Sequence, residues 1–66
     1  MIEVHRLNGE VFYLNPYLIE TLEEKPDTVI QLTTDKKLIV QEKISDIIVR
    51  IIEFNRRIFI ERHRTE

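Results

Sequence analysis

The segment from residue 44 to residue 60 constrains the fold most, because it carries more apolar side chains than one small sheet can cover. Ten of its seventeen residues are large and apolar, and it contains no Gly or Pro. At 100° per residue, five of them form one helical seam, Ile44, Ile47, Ile51, Phe54 and Ile58, with Ile48, Ile52 and Phe59 as a second seam beside it. The pattern predicts a helix over residues 44–62, buried on one side by its own domain and on the other by a further surface.

Two features predict an antiparallel hairpin at the start of the chain. Residues 2–6 and 10–14 alternate in polarity, and Asn8-Gly9 between them is a typical hairpin turn. A two-residue turn would leave apolar residues on both faces of the hairpin. A type I turn with Gly9 as the bulge residue instead pairs Arg6 with Glu10 and gathers the apolar side chains on one face: Ile2, Val4, Phe12 and Leu14. The bulged hairpin is therefore predicted, with Asn8 and Gly9 as structural turn residues.

The middle of the chain predicts a turn, a strand and a second hairpin. Asn15-Pro16-Tyr17 favours a turn or a single helical turn. Residues 18–24 alternate, with Leu18 and Leu22 on one face, and could form a strand or a short helix, with strand favoured. Residues 28–33 and 37–41 predict the second hairpin, with Asp35 near its tip. Its expected core face is Ile30, Leu32, Leu38 and Val40.

These elements predict an α+β fold in one domain over residues 1–66. Residues 1–41 form a small antiparallel β-sheet of about four to five strands, built on two hairpins. One long C-terminal amphipathic helix follows over residues 44–62, with Ser45 as its N-cap if Ile44 belongs to the preceding loop. Because this helix is roughly 28 Å long and a short strand about 17–20 Å, part of the helix should overhang the sheet.

The small size of the chain predicts self-association. A domain of 66 residues buries only about 60% of its unfolded surface, and this one has no cysteine for a disulfide. We therefore expect a homo-oligomer, with the oligomer interface on the first seam: Ile44, Ile47, Ile51, Phe54 and Ile58. A partner surface is expected opposite the seams, where Val49, Arg56 and Ile60 would contact either another protein or another copy of the chain.

Few residues in the chain suit catalysis or ligand binding. His5 and His63 are the only histidines, and neither has a second ligand at metal-site spacing. Ser45 is the only serine, and a single glycine excludes a glycine-rich phosphate loop. We expect no catalytic residue, no cofactor and no metal, and hence not an enzyme. No stretch reaches the roughly 20 apolar residues of a membrane span, so a soluble protein is expected. The lack of cysteine fits a reducing cytoplasm, where the protein is expected.

Charge is unevenly distributed along the chain, although the net charge is only −2. Residues 50–66 carry five arginines against three acids. A small nucleic-acid-binding regulator that uses the basic helix is therefore the alternative function. The spacing favours ion pairs along the helix instead: Arg50–Glu53, Glu53–Arg57, Arg57–Glu61 and Glu61–Arg64. Because these opposite charges largely pair with each other along the helix, nucleic-acid binding is not expected.

Several short motifs follow one another along the chain: Arg6-Leu7-Asn8-Gly9, Leu14-Asn15, Leu18-Ile19-Glu20-Thr21, Pro26-Asp27-Thr28 and the helix from Ile44. In this order and spacing, from Met1 to about Arg57, the chain resembles the FlbD/SwrD family of small bacterial flagellar proteins. It departs from the family at Thr34-Asp35, where Asn-Gly is frequent, and at Lys43, where a capping Ser or Thr is common. The stretch after Arg57 extends beyond many relatives and could be particular to this protein.

The resemblance implies a non-enzymatic accessory protein of flagellar motility that supports swarming and raises the power of the flagellar motor. It implies protein–protein contacts with flagellar motor or stator proteins. It also implies a cytoplasmic position that could be peripheral to the membrane at the motor.

Overall fold

The structure is a computed structural model of the 66-residue chain, and it describes the backbone of residues 1–62 and the side chains of residues 1–58. Its elements, in chain order, are β1 Ile2–His5, β2 Val11–Leu14, a 3-10 helix Pro16–Leu18, β3 Ile19–Glu24, β4 Thr28–Leu32, β5 Lys37–Val40 and α1 Ile44–Arg62. This order confirms the predicted α+β class, and α1 has the predicted bounds.

The five strands are divided between two antiparallel sheets. β1 pairs with β2 in one sheet, and β3, β4 and β5 form the other in that order. A single antiparallel bridge between Arg6 and Val40 connects them. Beside this bridge the Gln41 N–H donates to the His5 carbonyl at 2.8 Å. The two hairpins thus meet at the end of β1 rather than forming one continuous sheet.

The first hairpin has the predicted register. Val4 lies opposite Phe12, and Ile2 lies opposite Leu14. The Gly9 N–H donates to the Arg6 carbonyl at 2.9 Å, and the Arg6 N–H donates to the Glu10 carbonyl at 2.9 Å. Gly9 has φ of +90°, which confirms the left-handed bulge residue. The predicted apolar face is confirmed too, since Ile2, Val4 and Leu14 are buried and Phe12 is half-buried.

The second hairpin repeats the turn geometry of the first without a glycine. The Asp35 N–H donates to the Leu32 carbonyl at 3.0 Å, and the Leu32 N–H donates to the Lys36 carbonyl at 2.8 Å. Asp35 therefore occupies the position that Gly9 holds in the first hairpin, and its φ is +69°. Aspartate tolerates this left-handed conformation better than most residues, which explains how Thr34-Asp35 replaces Asn-Gly. The predicted core face is buried, with Leu38 half-buried.

The strand between the hairpins begins differently from the sequence expectation. The Asn15 side-chain oxygen accepts the Tyr17 N–H at 3.0 Å and caps the 3-10 helix Pro16–Leu18. Leu18 is therefore helical and exposed rather than the first inward residue of the strand. The register of β3 then shifts between Ile19 and Thr21. This bulge lets both Ile19 and Leu22 pack on the core, so the predicted alternation from Leu18 is wrong at its start.

Helix α1 is capped by a residue from another element. The Ile44 N–H donates to Glu24 Oε1 at 3.0 Å, while the Asp46 and Ile47 N–H groups donate to the Lys43 carbonyl at 3.0 and 3.1 Å. Lys43 thus occupies the N-cap position, where its own side chain cannot accept a hydrogen bond. Glu24 of β3 supplies the missing acceptor. Because Ile44 belongs to the helix, the condition for a Ser45 N-cap is not met, and Ser45 lies within the first turn.

The core lies between the two sheets and one side of α1. Its buried apolar residues are Ile2, Val4, Leu14, Ile30, Leu32, Val40 and Ile47. Ile47 is the one fully buried residue that the described part of the helix contributes, and Ile51 and Phe54 pack beside it while staying partly exposed. The helix is therefore held along the first seam of the sequence pattern. Ile48 and Ile52 of the second seam are exposed, and the side chain of Phe59 lies outside the described residues.

Substituting Gly9 should destabilise the protein through its backbone alone. A Cβ at Gly9 would meet nothing within 4 Å, so no clash contributes. We expect Gly9→Val to lower the free energy of unfolding by more than about 1 kcal/mol, because a β-branched side chain opposes positive φ. Gly9→Asp is the control, since Asp35 already adopts this conformation, and it should have a clearly smaller effect in urea denaturation. Equal effects of the two variants would contradict the backbone explanation.

Two neighbouring isoleucines of α1 should differ strongly in their contribution to stability. Ile47 is 0% exposed, whereas Ile48 is 46% exposed. We expect Ile47→Ala to lower the free energy of unfolding by about 2–5 kcal/mol, because it leaves a cavity. Ile48→Ala should change it by less than about 1 kcal/mol. Thermal and chemical denaturation of both variants measure the difference, and similar losses would mean that the helix packs with a different rotation.

Candidate functional site

The one buried carboxylate among the described residues joins β1, the β5–α1 connection and α1. Glu42 is 8% exposed. Its Oε1 accepts the His5 backbone N–H at 2.8 Å, and its Oε2 lies 2.6 Å from Nδ1 of the His5 ring. Nη1 of Arg50 donates to the same Oε2 at 2.9 Å and to the Glu3 carbonyl at 2.6 Å. We call these three side chains, His5, Glu42 and Arg50, the Glu42 cluster.

Hydrogen bonds keep Glu42 ionised despite its burial. Burial by itself would raise the pKa of this carboxyl group. The His5 ring, the His5 backbone N–H and the Arg50 guanidinium outweigh that effect and lower the pKa from 4.5 to about 2. A buried charge with this many partners stabilises the folded state only while all partners stay in place. The Glu42 cluster therefore acts as a fixed connection between elements.

The Glu42 cluster also satisfies the outer backbone edge of β1. Because Arg6 and Glu10 exchange a ladder hydrogen bond, the alternation of an antiparallel pair turns the backbone groups of Glu3 and His5 away from β2. The His5 N–H is taken by Glu42, the His5 carbonyl by Gln41, and the Glu3 carbonyl by Arg50. This arrangement explains why His5, on the strand surface as expected, contacts a carboxylate, and it points to a structural role.

An open pocket of about 320 Å³ lies beside the cluster, between the start of β1 and α1. Its lining residues are Met1, Ile2, Glu3, Arg50, Glu53, Phe54 and Arg57. Two glutamates and two arginines line it, so its charges balance and favour neither an anionic nor a cationic ligand. Within residues 1–58, no three His, Cys, Asp or Glu side chains are grouped so that they could hold a metal ion.

The first seam, predicted as the oligomer interface, lies largely inside the chain. Ile47 is fully buried, and Ile51 and Phe54 pack on the core. Ile44 and Ile58 are half-buried. A second copy that contacts the intact domain through α1 would therefore meet the neighbouring residues of the second seam. Self-association through α1 stays a prediction.

The exposed apolar residues of α1 lie on its opposite side. Ile48, Val49 and Ile52 are 46%, 57% and 53% exposed, and Arg56 beside them is exposed. At 100° per residue these four side chains span an arc of about 100°. We call these residues, Ile48, Val49, Ile52 and Arg56, the outer face. Val49 and Arg56 of the predicted partner surface are thus placed together, while the side chain of the third, Ile60, lies outside the described residues.

Among the described side chains, one of the ion pairs predicted along the helix, Arg50–Glu53, is replaced by a tertiary pair. Arg50 pairs with Glu42 rather than with Glu53. No salt bridge joins Glu53 to Arg57 among the described side chains, and the expected pairs of Glu61 lie outside them, as does His63. The Arg50–Glu42 pair was not predicted, because neither spacing nor periodicity identifies a glutamate in a connection as buried. The only sequence-visible cue is that Glu42 directly precedes the helix.

Together these features describe a small α+β protein whose helix exposes an apolar face and whose polar cluster is structural. The family model for FlbD, described as flagellar and swarming motility proteins, matches residues 1–59. The chain therefore belongs to this family, and the resemblance drawn from its motifs is confirmed. No curated protein and no solved structure matches the chain significantly. Among the described residues, no helix is long and apolar enough to cross a membrane.

Replacing Glu42 should make the protein less stable in a pH-dependent way. The pKa of Glu42 is about 2 in the folded state against 4.5 ordinarily, so the unfolded chain binds the additional proton as pH falls. The stabilisation is complete above pH 4.5 and is lost as the pH falls through about 2. We expect Glu42→Gln to lower the free energy of unfolding by about 1–3 kcal/mol at neutral pH. This deficit should shrink steadily on acidification.

The control for this prediction is Glu10→Gln. Glu10 also pairs with an arginine, at 3.2 Å from Arg6, but it is exposed. Exposed ion pairs contribute about 0–1 kcal/mol, so this variant should have a much smaller effect. Urea denaturation of both variants from pH 7 to pH 2.5 makes the comparison. A Glu42→Gln deficit that does not vary with pH would show that the carboxylate charge is unimportant.

Proposed function

We propose that the chain is a non-enzymatic accessory protein of flagellar motility that supports swarming and motor power through protein–protein contacts. Membership of a family of flagellar and swarming motility proteins supports the process. The proposed mode of action rests on the outer face of α1, because its apolar side chains are exposed and do not pack on the core of the domain. Its partner is a flagellar motor or stator protein, met on the cytoplasmic side of the membrane.

The composition of the outer face suits a protein partner. Contiguous exposed apolar side chains mark protein-contact sites, and arginine is enriched among the residues that dominate protein–protein binding energy. Ile48, Val49 and Ile52 supply the apolar area, and Arg56 supplies the one charge of this face. No acidic residue lies within the same arc among residues 44–58. An apolar surface that carries acidic groups is therefore the expected counterpart, with one of its carboxylates beside Arg56.

The outer face can be tested by complementing a deletion strain. We expect the variants Ile48→Ser/Ile52→Ser and Val49→Ser/Arg56→Ala to lower swarming and motor torque toward the level of the deletion. Swimming, swarming and the torque of single tethered motors are measured separately. The free energy of unfolding should change by less than about 1 kcal/mol per substitution, because the replaced side chains are exposed. The control is Ile39→Ser, which changes an apolar residue of β5 that is 47% exposed.

Two results would contradict the proposal. Full torque from folded outer-face variants would exclude this face as the contact surface. Tight binding of the wild-type chain to generic RNA, weakening steeply as salt is raised, would instead support the nucleic-acid-binding alternative. The proposal requires negligible RNA binding at physiological salt.

A further inference from the structure

The edges of the two sheets differ in how their outward backbone groups are satisfied. The outer edge of β1 is closed by Gln41, Glu42 and Arg50, as described above. The outer edge of β5 meets the end of β1 at the Arg6–Val40 bridge. The edge strand β3 carries three carboxylates, Glu20, Glu23 and Glu24. Closing or charging an edge in these ways prevents further strand pairing.

The outer edge of β2 is neither closed by other described residues nor charged. In the first hairpin Phe12 and Leu14 direct their backbone groups toward β1, so those of Val11 and Tyr13 point outward. Within the described part of the chain, no hydrogen bond reaches the backbone groups of Val11 or Tyr13 outside the β1–β2 pair. The strand Val11–Leu14 contains no charged residue. Its outward residues are also apolar, with Val11 47% and Tyr13 63% exposed.

We propose that β2 is a self-association edge, where β2 of a second copy pairs antiparallel to form a four-stranded sheet across a twofold axis. The occupant is a second copy because the strand complements itself. With Phe12 opposite Phe12 of the second copy, Val11 of each chain lies opposite Tyr13 of the other. This register joins the outward N–H and carbonyl groups of Val11 and Tyr13 in four hydrogen bonds and leaves none of them unpaired.

Side-chain placement favours the same register. Val11 and Tyr13 lie on the exposed face of the hairpin, so each cross-strand contact pairs a β-branched with an aromatic side chain, a favourable combination. Phe12 lies on the core face and is half-buried, so the two Phe12 rings would cover each other. A register centred on Tyr13 would instead place Val11 opposite Asn15, losing both cross-strand contacts. The pattern of exposed residues therefore selects the register centred on Phe12.

Charge does not oppose this pairing. The one acidic residue at the start of β2, Glu10, is paired with Arg6 at 3.2 Å in its own hairpin. Arg6 also lies 4.7 Å from the centre of the Phe12 ring, so its charge is held beside the strand. Two copies of β2 can therefore approach without like-charge repulsion. Two copies of β3 would bring six carboxylates together instead.

Sedimentation equilibrium over about 10–500 µM tests the proposal, since a four-residue strand pair should give weak association. The wild type should show a species of twice the 8.0 kDa monomer mass. Val11→Lys/Tyr13→Lys places like charges opposite each other at both pairs and should raise the dissociation constant about tenfold or more. Val11→Lys/Tyr13→Glu places opposite charges there and should restore dimerisation. The register centred on Tyr13 would pair Glu with Glu and give no rescue.

The matched control is Ile39→Lys, because Ile39 and Val11 are both 47% exposed and both lie on strands. It should leave the dimer unchanged. Amide hydrogen exchange gives a readout that a loss of stability alone would not produce. The amides of Val11 and Tyr13 should exchange fast in dilute protein and slow down as concentration rises. The amides of Phe12 and Leu14, already bonded to β1, should be slow throughout.

Three outcomes would overturn the proposal. The wild type could be a monomer at the highest concentration. Ile39→Lys could dissociate the dimer as strongly as the β2 variants do. The outer-face variants of α1 could dissociate it while the β2 variants leave it intact, which would assign dimerisation to the helix. Circular dichroism of each variant under the conditions of sedimentation, together with its unfolding midpoint, establishes that the chain is folded. The motility proposal is tested separately from dimerisation, by the torque of the outer-face variants.

Discussion

The ionised carboxylate of Glu42 holds the arrangement of the other elements. It binds the His5 backbone and ring and the Arg50 guanidinium, which itself reaches the Glu3 carbonyl. These contacts fix β1 against the start and the middle of α1. Among its described residues the helix buries only Ile47 fully, so apolar packing alone would hold the helix to the core over a small area. The cluster supplies directional contacts that set its rotation, and this rotation decides which helix residues remain exposed.

The same contacts decide which strand edge is open. By satisfying the outward groups of Glu3 and His5, the cluster and Gln41 convert one margin of the first hairpin into an interior contact. The opposite margin, β2, has no equivalent partner within the described residues. By closing the β1 margin, the cluster leaves β2 as the one open edge of this hairpin within the described residues. Without it, both hairpin edges would be open, and self-pairing would have no unique register.

The sequence predicted those features that depend on local periodicity and turn chemistry. The bulged turn at Gly9, the register of the first hairpin, the core face of the second and the bounds of α1 follow from alternation, from residues that tolerate positive φ and from helical spacing. Long-range contacts were missed for physical reasons. Glu24 caps α1 from twenty residues away, and Glu42 attracts Arg50 away from Glu53. Residue spacing predicts neither contact, because each one forms only when distant parts of the chain fold against each other.

Placing a partner surface and a self-association edge on different elements has a geometric consequence. A twofold axis through β2 leaves α1 of each copy free, so a dimer would present two outer faces to its surroundings. Two linked faces bind a repeated partner more tightly than one, because the second contact forms at a high effective concentration. A weak strand-to-strand dimer would then form mainly where a repeated partner brings copies together. Self-association and partner binding would strengthen each other by linkage, although neither contact alone needs to be tight.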